Sequence, residues 1–178
     1  MLLLKGKIVF DPVDKTNKHK SQASWKKVAM VIFEANVPKD GDGERKGICE
    51  YYAWFIKRRY SIALNKPLRR AHVTFINDRG SDMNGRWDEI KAKYDGKEID
   101  VVVSVDPRTD CAEPGSTGHW WLTVPEECRH ELHGIREELG LGRPYYGLHL
   151  SIGHVNEKNR EQGEYIHNLI KKYGGSYN

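Results

Sequence analysis

The sequence predicts an α+β protein with two similar lobes, and three observations lead to this prediction. Segments in which apolar residues alternate, as is typical of strands, are interspersed with segments of helical spacing. A strand carrying His-x-Thr or His-x-Ser and followed by a helix occurs at 71–94 and again at 147–173. Hydrophobic residues make up 38% of the 178 residues, which is enough to form a core. We therefore expect residues 1–178 to fold as one bilobal domain and not as two independent domains.

The first half of the chain contains two predicted strands and two predicted helices. Apolar residues alternate in WKKVAMVIFEANV and recur at helical spacing in ICEYYAWFIKRRYSIAL, and LRRAHVTFI follows Pro67 as a second strand. The predicted elements are a strand at 25–37, a helix at 48–64, a strand at 68–76 and a short helix at 82–94. Residues 11–24 are polar and predict an exposed loop.

The second half begins with EIDVVVSV (98–105) and HWWLTV (119–124), two apolar segments that predict the strands of a long hairpin. Pro125 then begins a helix, because proline suits the first helical position and acidic residues follow it. That helix is expected to end near Gly140 or Gly142. The last predicted elements are a strand at 145–155 and a helix at 157–173.

Charge, cysteines and hydrophobic runs narrow the class of protein. The formal net charge is +4 and the pI is about 8.9, which favours a phosphate-bearing ligand only weakly. The three cysteines have no CxxC spacing, so a reducing compartment is expected and a disulfide framework is not. Lys5 and Lys7 interrupt the apolar N-terminus, which is too short for a signal peptide, and no segment has the length of a membrane helix. We therefore expect a soluble cytoplasmic protein without a membrane partner.

Two tripeptides, HVT at 72–74 and HLS at 149–151, are the main functional signal in the sequence. Side chains alternate between the faces of a strand, so each tripeptide directs an imidazole and a hydroxyl to one face and an apolar residue to the other. A single strand histidine is more often structural. Two such tripeptides, 77 residues apart at corresponding places of the two halves, predict one shared site.

Two imidazoles and two hydroxyls suit the cleavage of a phosphodiester. One of His72 and His149, when neutral, takes the proton of the attacking hydroxyl or water, and the other, when protonated, gives a proton to the leaving oxygen. Imidazole titrates at about 6.5, so both forms are accessible near neutral pH. Thr74 and Ser151 can donate hydrogen bonds to the non-bridging phosphate oxygens. This chemistry requires no metal and no cofactor.

AHVTFI (71–76) and LHLSIGHV (148–155) resemble the paired His-x-Thr/Ser signatures of the 2H phosphoesterase superfamily, and the order of elements over 25–173 is similar. Its members include 2′-5′ RNA ligase-like proteins, cyclic nucleotide phosphodiesterases and phage nucleases that destroy cyclic oligonucleotide signals. The resemblance implies a core at about 25–173 with residues 1–24 as an N-terminal extension. It also implies a bilobal, pseudo-symmetric fold with two antiparallel sheets facing a central cleft and helices outside. It also implies that His72, Thr74, His149 and Ser151 are the catalytic residues.

Aromatic residues near the motifs are candidates for substrate binding. Trp120 and Trp121 are adjacent in a predicted strand, so one packs in the core and the other can stack a base, and we take Trp120 as the candidate for base binding. Tyr145 and Tyr146 precede the second motif and can line a base pocket. Core packing or simple exposure is the alternative for each of them.

His119, Arg70 and Arg143 are the remaining candidates for substrate binding. His119 either reaches the cleft or lies at the end of a hairpin with no chemical role. Arg70 precedes the first motif and Arg143 the second, so either can bind phosphate with two hydrogen bonds or remain a solvated charge. His130 and His133 are spaced i, i+3, unlike the i, i+4 pair of a zinc-binding HExxH helix, so no metal site is predicted.

Three functions remain open from the sequence. The first is a metal-independent phosphodiesterase that acts on the 2′,3′-cyclic phosphate of RNA or a nucleotide, or on a cyclic oligonucleotide. The second is a non-catalytic module of similar fold that binds RNA or a nucleotide. The third is a structural or interaction protein in which the motif pair is accidental. The sequence determines neither the substrate, nor the nucleophile, nor the oligomeric state.

Overall fold

The computed structural model describes residues 1–13, 26–33, 47–65, 71–78, 80–110, 118–155 and 168. Within that part of the chain it has the mixed α+β composition that the sequence predicts. The helices are α1 (Ile48–Tyr60), α2 (Trp87–Tyr94) and α3 (His130–Glu138). The strands are β1 (Leu2–Phe10), β2 (Ala29–Phe33), β3 (Leu64–Asn65), β4 (His72–Ile76), β5 (Glu98–Val103), β6 (Arg108–Thr109), β7 (His119–Thr123) and β8 (His149–Val155).

Hydrogen-bonded strands follow one another in the order β5–β1–β2–β4–β8–β7–β6, and β3 pairs separately with β8. This continuous order differs from the two sheets that the family resemblance implies. The difference arises at β8, which pairs with β4 at Leu150 and, further along, bonds to the residue that precedes β7, where Val155 N donates to Gly118 O at 2.9 Å. The strand that carries the second motif therefore has a partner on each side.

β1 is a strand that the sequence analysis did not assign, because it lies within the predicted N-terminal extension. It pairs antiparallel with β2 and with β5, and Ile8 and Phe10 are buried. The leucines at its start do not alternate with polar residues, so the strand pattern is hidden at the sequence level. Gly6 is required at its centre, since an added Cβ would lie 2.5 Å from Cγ1 of Val31.

The predicted long hairpin of 98–105 with 119–124 is wrong. β5 pairs with β1, whereas β7 forms a short antiparallel pair with β6. The ends of the two segments share a hydrogen bond from Ser104 N to Thr123 O at 2.8 Å. Alternation in a sequence indicates which face of a strand is buried, but it does not identify the neighbouring strand.

The helices agree with the sequence prediction more closely than the strand pairing does. α1 ends at Tyr60, and the left-handed φ of 57° at the next residue, Ser61, stops it a few residues before the predicted end. A 3-10 turn, Glu126–Cys128, follows Pro125 and leads into α3, and Gly140 adopts a φ of +72° soon after that helix. The predicted helix 157–173 lies outside the described residues, except for helical Asn168.

The described elements form two compact units. The first contains β1, β2, β4, β5, α2, α3 and the first two residues of β8, and the second contains α1, β3, β6, most of β7 and β8 from Ser151 onward. Ile8, Phe75 and Ile90 are buried in the first unit, and Ile56 and Trp120 in the second. Among the described residues, no helix has both the length and the apolar character needed to cross a membrane.

Candidate active site

The first motif lies on β4, in the first unit. Val73 and Phe75 are 0% and 1% exposed, while His72 and Thr74 on the other face of the strand are half-buried. β4 is held from one side by β2, where Met30 pairs with Thr74 and Ile32 with His72. The period of the strand therefore separates the polar pair from the core, as the sequence predicts.

The second motif begins β8, the other neighbour of β4. Leu150 is 0% exposed and pairs directly with Val73, so both buried side chains lie on the same face of the sheet. His149 consequently shares the opposite face with His72 and Thr74. Continuing the antiparallel register by one residue from this pair places Thr74 opposite His149 and His72 diagonally from His149. In antiparallel sheets, opposite neighbours have Cβ atoms about 4.5–5.5 Å apart and diagonal neighbours about 7–8 Å apart.

One ring nitrogen of His149 has a defined partner. Nδ1 lies 2.9 Å from the carbonyl oxygen of Gly147, and a carbonyl can only accept, so Nδ1 carries the proton of this hydrogen bond. In neutral imidazole the lone pair is then on Nε2. The same contact fixes the ring relative to the backbone, so His149 is oriented to accept a proton at Nε2.

Ser151, the next residue on this face of β8, belongs to the second unit and contacts His119 there. Nε2 of His119 lies 3.1 Å from Oγ of Ser151. The backbone of Ser151 is held as well, since Sγ of Cys49 donates to its carbonyl oxygen at 3.4 Å. Burial, and secondarily the charge of Glu50, raises the pKa of the Cys49 thiol to about 12, which keeps the thiol protonated as a donor.

The two adjacent tryptophans divide between core and surface. Trp120 is 2% exposed and its ring lies 5.6 Å from that of Tyr60, so it has no face open to a base and does not serve the predicted binding role. Trp121 is half-exposed, and its ring lies 5.4 Å from that of His119 at 30°. The apolar set of Trp120, Leu122 and Val124 alternates with more polar neighbours, and this was the sequence signal for which tryptophan is buried.

Tyr145 and Tyr146 are both exposed, at 92% and 74%, and their rings form an edge-to-face pair at 4.8 Å. They lie in the segment that leads to His149. Arg143 is also exposed, and its Nη1 bonds to Oε1 of Glu126 at 2.8 Å. Arg70 lies outside the described residues.

Arg129 is a cation near the second motif that the sequence analysis did not single out. Its Nε donates to the carbonyl oxygen of Val124 at 2.7 Å, and its Nη1 pairs with Glu126. A Cβ added at Gly147 would lie 3.3 Å from its Nη2, so the guanidinium approaches the loop that holds His149. Nothing in the local sequence indicates this contact, because it depends on how the 3-10 turn meets that loop.

His130 and His133 lie at the start of α3, and Nε2 of His133 is buried with no hydrogen-bond partner among the residues that the structure describes. Burial lowers the pKa of His133. Over the described residues, no three or more His, Cys, Asp or Glu side chains cluster in a way that could hold a metal ion.

Comparison with known proteins adds no relative. Neither a family model, nor a curated protein, nor a solved structure matches this chain.

Proposed function

We propose that the protein is a metal-independent phosphodiesterase that cleaves a nucleotide phosphodiester by general acid–base catalysis with His72 and His149. The substrate class is the 2′,3′-cyclic phosphate of RNA or of a nucleotide, or a cyclic oligonucleotide. The direct pairing of Val73 with Leu150 is the observation that carries the proposal. It supports a site in which both imidazoles face one phosphate, as the resemblance to the 2H phosphoesterases implies.

The hydrogen bond of His149 favours different roles for the two histidines, with His149 as the general base and His72 as the general acid. Because its Nδ1 is bonded to the carbonyl of Gly147, its Nε2 presents a lone pair and suits the general base. His149 takes the proton from a water or a substrate 2′-hydroxyl as that oxygen bonds to phosphorus. Protonated His72 gives its proton to the leaving oxygen as the other P–O bond breaks. Proton exchange with solvent then restores both rings.

The hydroxyl groups serve the non-bridging oxygens, where negative charge builds up in the transition state. Thr74 lies opposite His149 in the register, so its hydroxyl is within reach of a phosphate held by that histidine. Ser151 follows on the same face of β8. Each donor stabilises the developing charge without taking part in proton transfer.

The alternative function is a module that binds a nucleotide or RNA without cleaving it. The specific observation in its favour is the exposed pair of Tyr145 and Tyr146, because aromatic rings of this kind stack bases in sequence-tolerant binding sites. Both functions predict binding, and only the phosphodiesterase predicts turnover that depends on both histidines.

The test is turnover of a panel of cyclic dinucleotides, cyclic trinucleotides and 2′,3′-cyclic mononucleotides by the wild type, His72→Ala and His149→Ala. We expect each replacement to lower kcat by roughly 10²–10⁴, the usual worth of a positioned acid or base. The double variant should lose much less than the product of the two single losses, since the groups act as a unit. His130→Ala is the matched control, because His130 is exposed at the start of α3.

Binding of panel members without any turnover would favour the binding module. Folded His72→Ala and His149→Ala variants with turnover near that of wild type would refute the proposal. Circular dichroism of each variant separates loss of chemistry from loss of folding.

A further inference from the structure

His119 has a contact that the proposed mechanism does not use. Its Nε2 lies 3.1 Å from Oγ of Ser151, a distance within the normal range for a hydrogen bond. His119 is the first residue of β7 and is half-buried. Its side chain therefore lies neither in the core nor fully in solvent. The sequence left open whether it had a chemical role.

Both members of this pair are held in place by their own neighbours. The His119 ring packs against that of Trp121 at 5.4 Å, and its backbone N–H donates to Oδ1 of Asp110 at 2.6 Å. On the other side, Cys49 bonds to the carbonyl oxygen of Ser151. A hydrogen bond between two anchored groups costs little additional ordering entropy, which makes it suited to fixing the direction of a hydroxyl.

The direction matters because a serine hydroxyl has one proton and two lone pairs. If Ser151 donates that proton to Nε2 of His119, only lone pairs remain for a phosphate oxygen, and these repel its negative charge. If Nε2 carries a proton and donates it to Oγ, the serine proton is left for the phosphate. The distance is compatible with both arrangements, and only the second serves phosphodiester cleavage.

We propose that His119 is a positioning residue that donates its Nε2 proton to Oγ of Ser151 and so directs the serine proton to a non-bridging phosphate oxygen. This role rests on the proposed function of the site. His119 takes no proton from the substrate and gives none to it. It acts through Ser151, and its contribution disappears when that hydroxyl is removed.

The first test needs no substrate. The ¹⁵N chemical shift of Nε2 in His119, assigned with a His119→Phe variant, reports whether that nitrogen carries a proton at the pH of the assay. We expect a protonated nitrogen in the wild-type protein and a change of its shift in Ser151→Ala. A lone-pair nitrogen, or a shift that Ser151→Ala leaves unchanged, would overturn the proposal.

The second test is a double-mutant cycle on turnover of the best substrate of the panel. Ser151→Ala should cost roughly tenfold to a hundredfold, the worth of a hydrogen bond to a charged group. His119→Phe keeps a ring against Trp121 but loses the nitrogen, and it should cost roughly threefold to tenfold. The double variant should be no slower than Ser151→Ala alone. His119→Gln restores an N–H donor and should recover part of the loss, while His130→Phe, the control, should leave turnover unchanged.

If the loss of turnover in the double variant equals the product of the two single losses, His119 acts independently of Ser151. This result would overturn the proposal. If the His119→Phe variant has the same turnover as the wild type, the positioning role is overturned and the proposed function stays intact. A wild-type protein that cleaves no member of the panel would remove the proposed function, and the positioning role with it.

Discussion

At the residue scale, the informative contact is the hydrogen bond between His149 and the carbonyl of Gly147. It assigns the lone pair of neutral His149 to Nε2, and the sequence alone could not make this assignment. The two motifs look nearly equivalent as tripeptides. The backbone before the second motif fixes the tautomer of neutral His149, and the different roles proposed for the two histidines follow from that contact.

This asymmetry leads to a prediction about pH dependence. The wild-type rate should be bell-shaped in pH, because one imidazole must be neutral and the other charged. If His149 is the base, His149→Ala should lose the limb on which the rate rises from low pH. His72→Ala should lose the limb on which the rate falls at high pH. The measurement is the pH profile of kcat/KM, and the apparent pKa values in wild type belong to the coupled pair. Exchanged limbs would reverse the assignment of base and acid.

The tryptophans show how far sequence reasoning reaches at this scale. Alternation correctly placed Trp120 and Trp121 on opposite faces, but the candidate chosen for binding was the buried one. Period two gives the relative orientation of neighbours and not the identity of the core face, which the neighbouring Leu122 and Val124 indicate. Contacts such as that of Arg129 with the loop at Gly147 had no local signal at all.

At the element scale, a buried arginine of α3 forms hydrogen bonds with the end of β4, the strand that carries the first motif, and with the residues just after it. Arg136 is 1% exposed; its Nη1 donates to the carbonyl of Phe75 at 2.7 Å, and both terminal nitrogens bond to the carboxylate of Asp78. Its Nε donates to Gly142 O at 2.8 Å. These four hydrogen bonds give each guanidinium nitrogen a partner and link the helix to the strand.

We predict that Arg136→Met lowers the free energy of unfolding by roughly 2–4 kcal/mol at neutral pH, because Asp78 and two carbonyls lose their donor. The same substitution at Arg143, whose ion pair is exposed, is the control and should change stability little. Urea denaturation of both variants measures the difference. Equal stability of Arg136→Met and wild type would show that the pair does not hold α3.

The loss of unfolding free energy in Arg136→Met should also depend on pH. Hydrogen bonds from Arg136 hold the pKa of Asp78 below the ordinary 3.8. A carboxyl with a depressed folded-state pKa stabilises the fold fully above its unfolded-state pKa, and this stabilisation is lost as the pH falls through the folded-state value. The difference between wild type and Arg136→Met should therefore be largest at neutral pH and shrink below about pH 4.

The elements divide clearly into those that the sequence predicts and those that it does not. α1 and α3 were placed by helical spacing, Pro125 and Gly140, which are local signals. β1 was missed because its first residues do not alternate. The predicted partner of β5 was wrong because strand pairing depends on the whole sheet, and no local sequence pattern encodes it.

At the scale of the whole molecule, the chemistry proposed here leaves no step for a metal ion. The leaving oxygen receives a proton from an imidazole, so it requires no Lewis acid. We predict that turnover of the best substrate is unchanged after dialysis against EDTA. Loss of turnover on chelation, restored by one added divalent metal, would contradict the mechanism. His130→Ala assayed in parallel tests whether any such effect involves the histidines of α3.

The pairing of Val73 with Leu150, and of Leu2 with Val103, has a consequence for how the chain folds. Each pair joins residues far apart in sequence. The chain must therefore lose the entropy of closing a long loop before the stabilising contacts between the paired strands can form. Proteins dominated by such pairings fold in milliseconds to seconds, more slowly than helical bundles. The proposed mechanism uses His72 and His149 on one phosphate, so it requires this long-range step to be complete, because each histidine belongs to a different strand. The proposed activity should therefore be absent from a partly folded chain and should appear together with the native sheet.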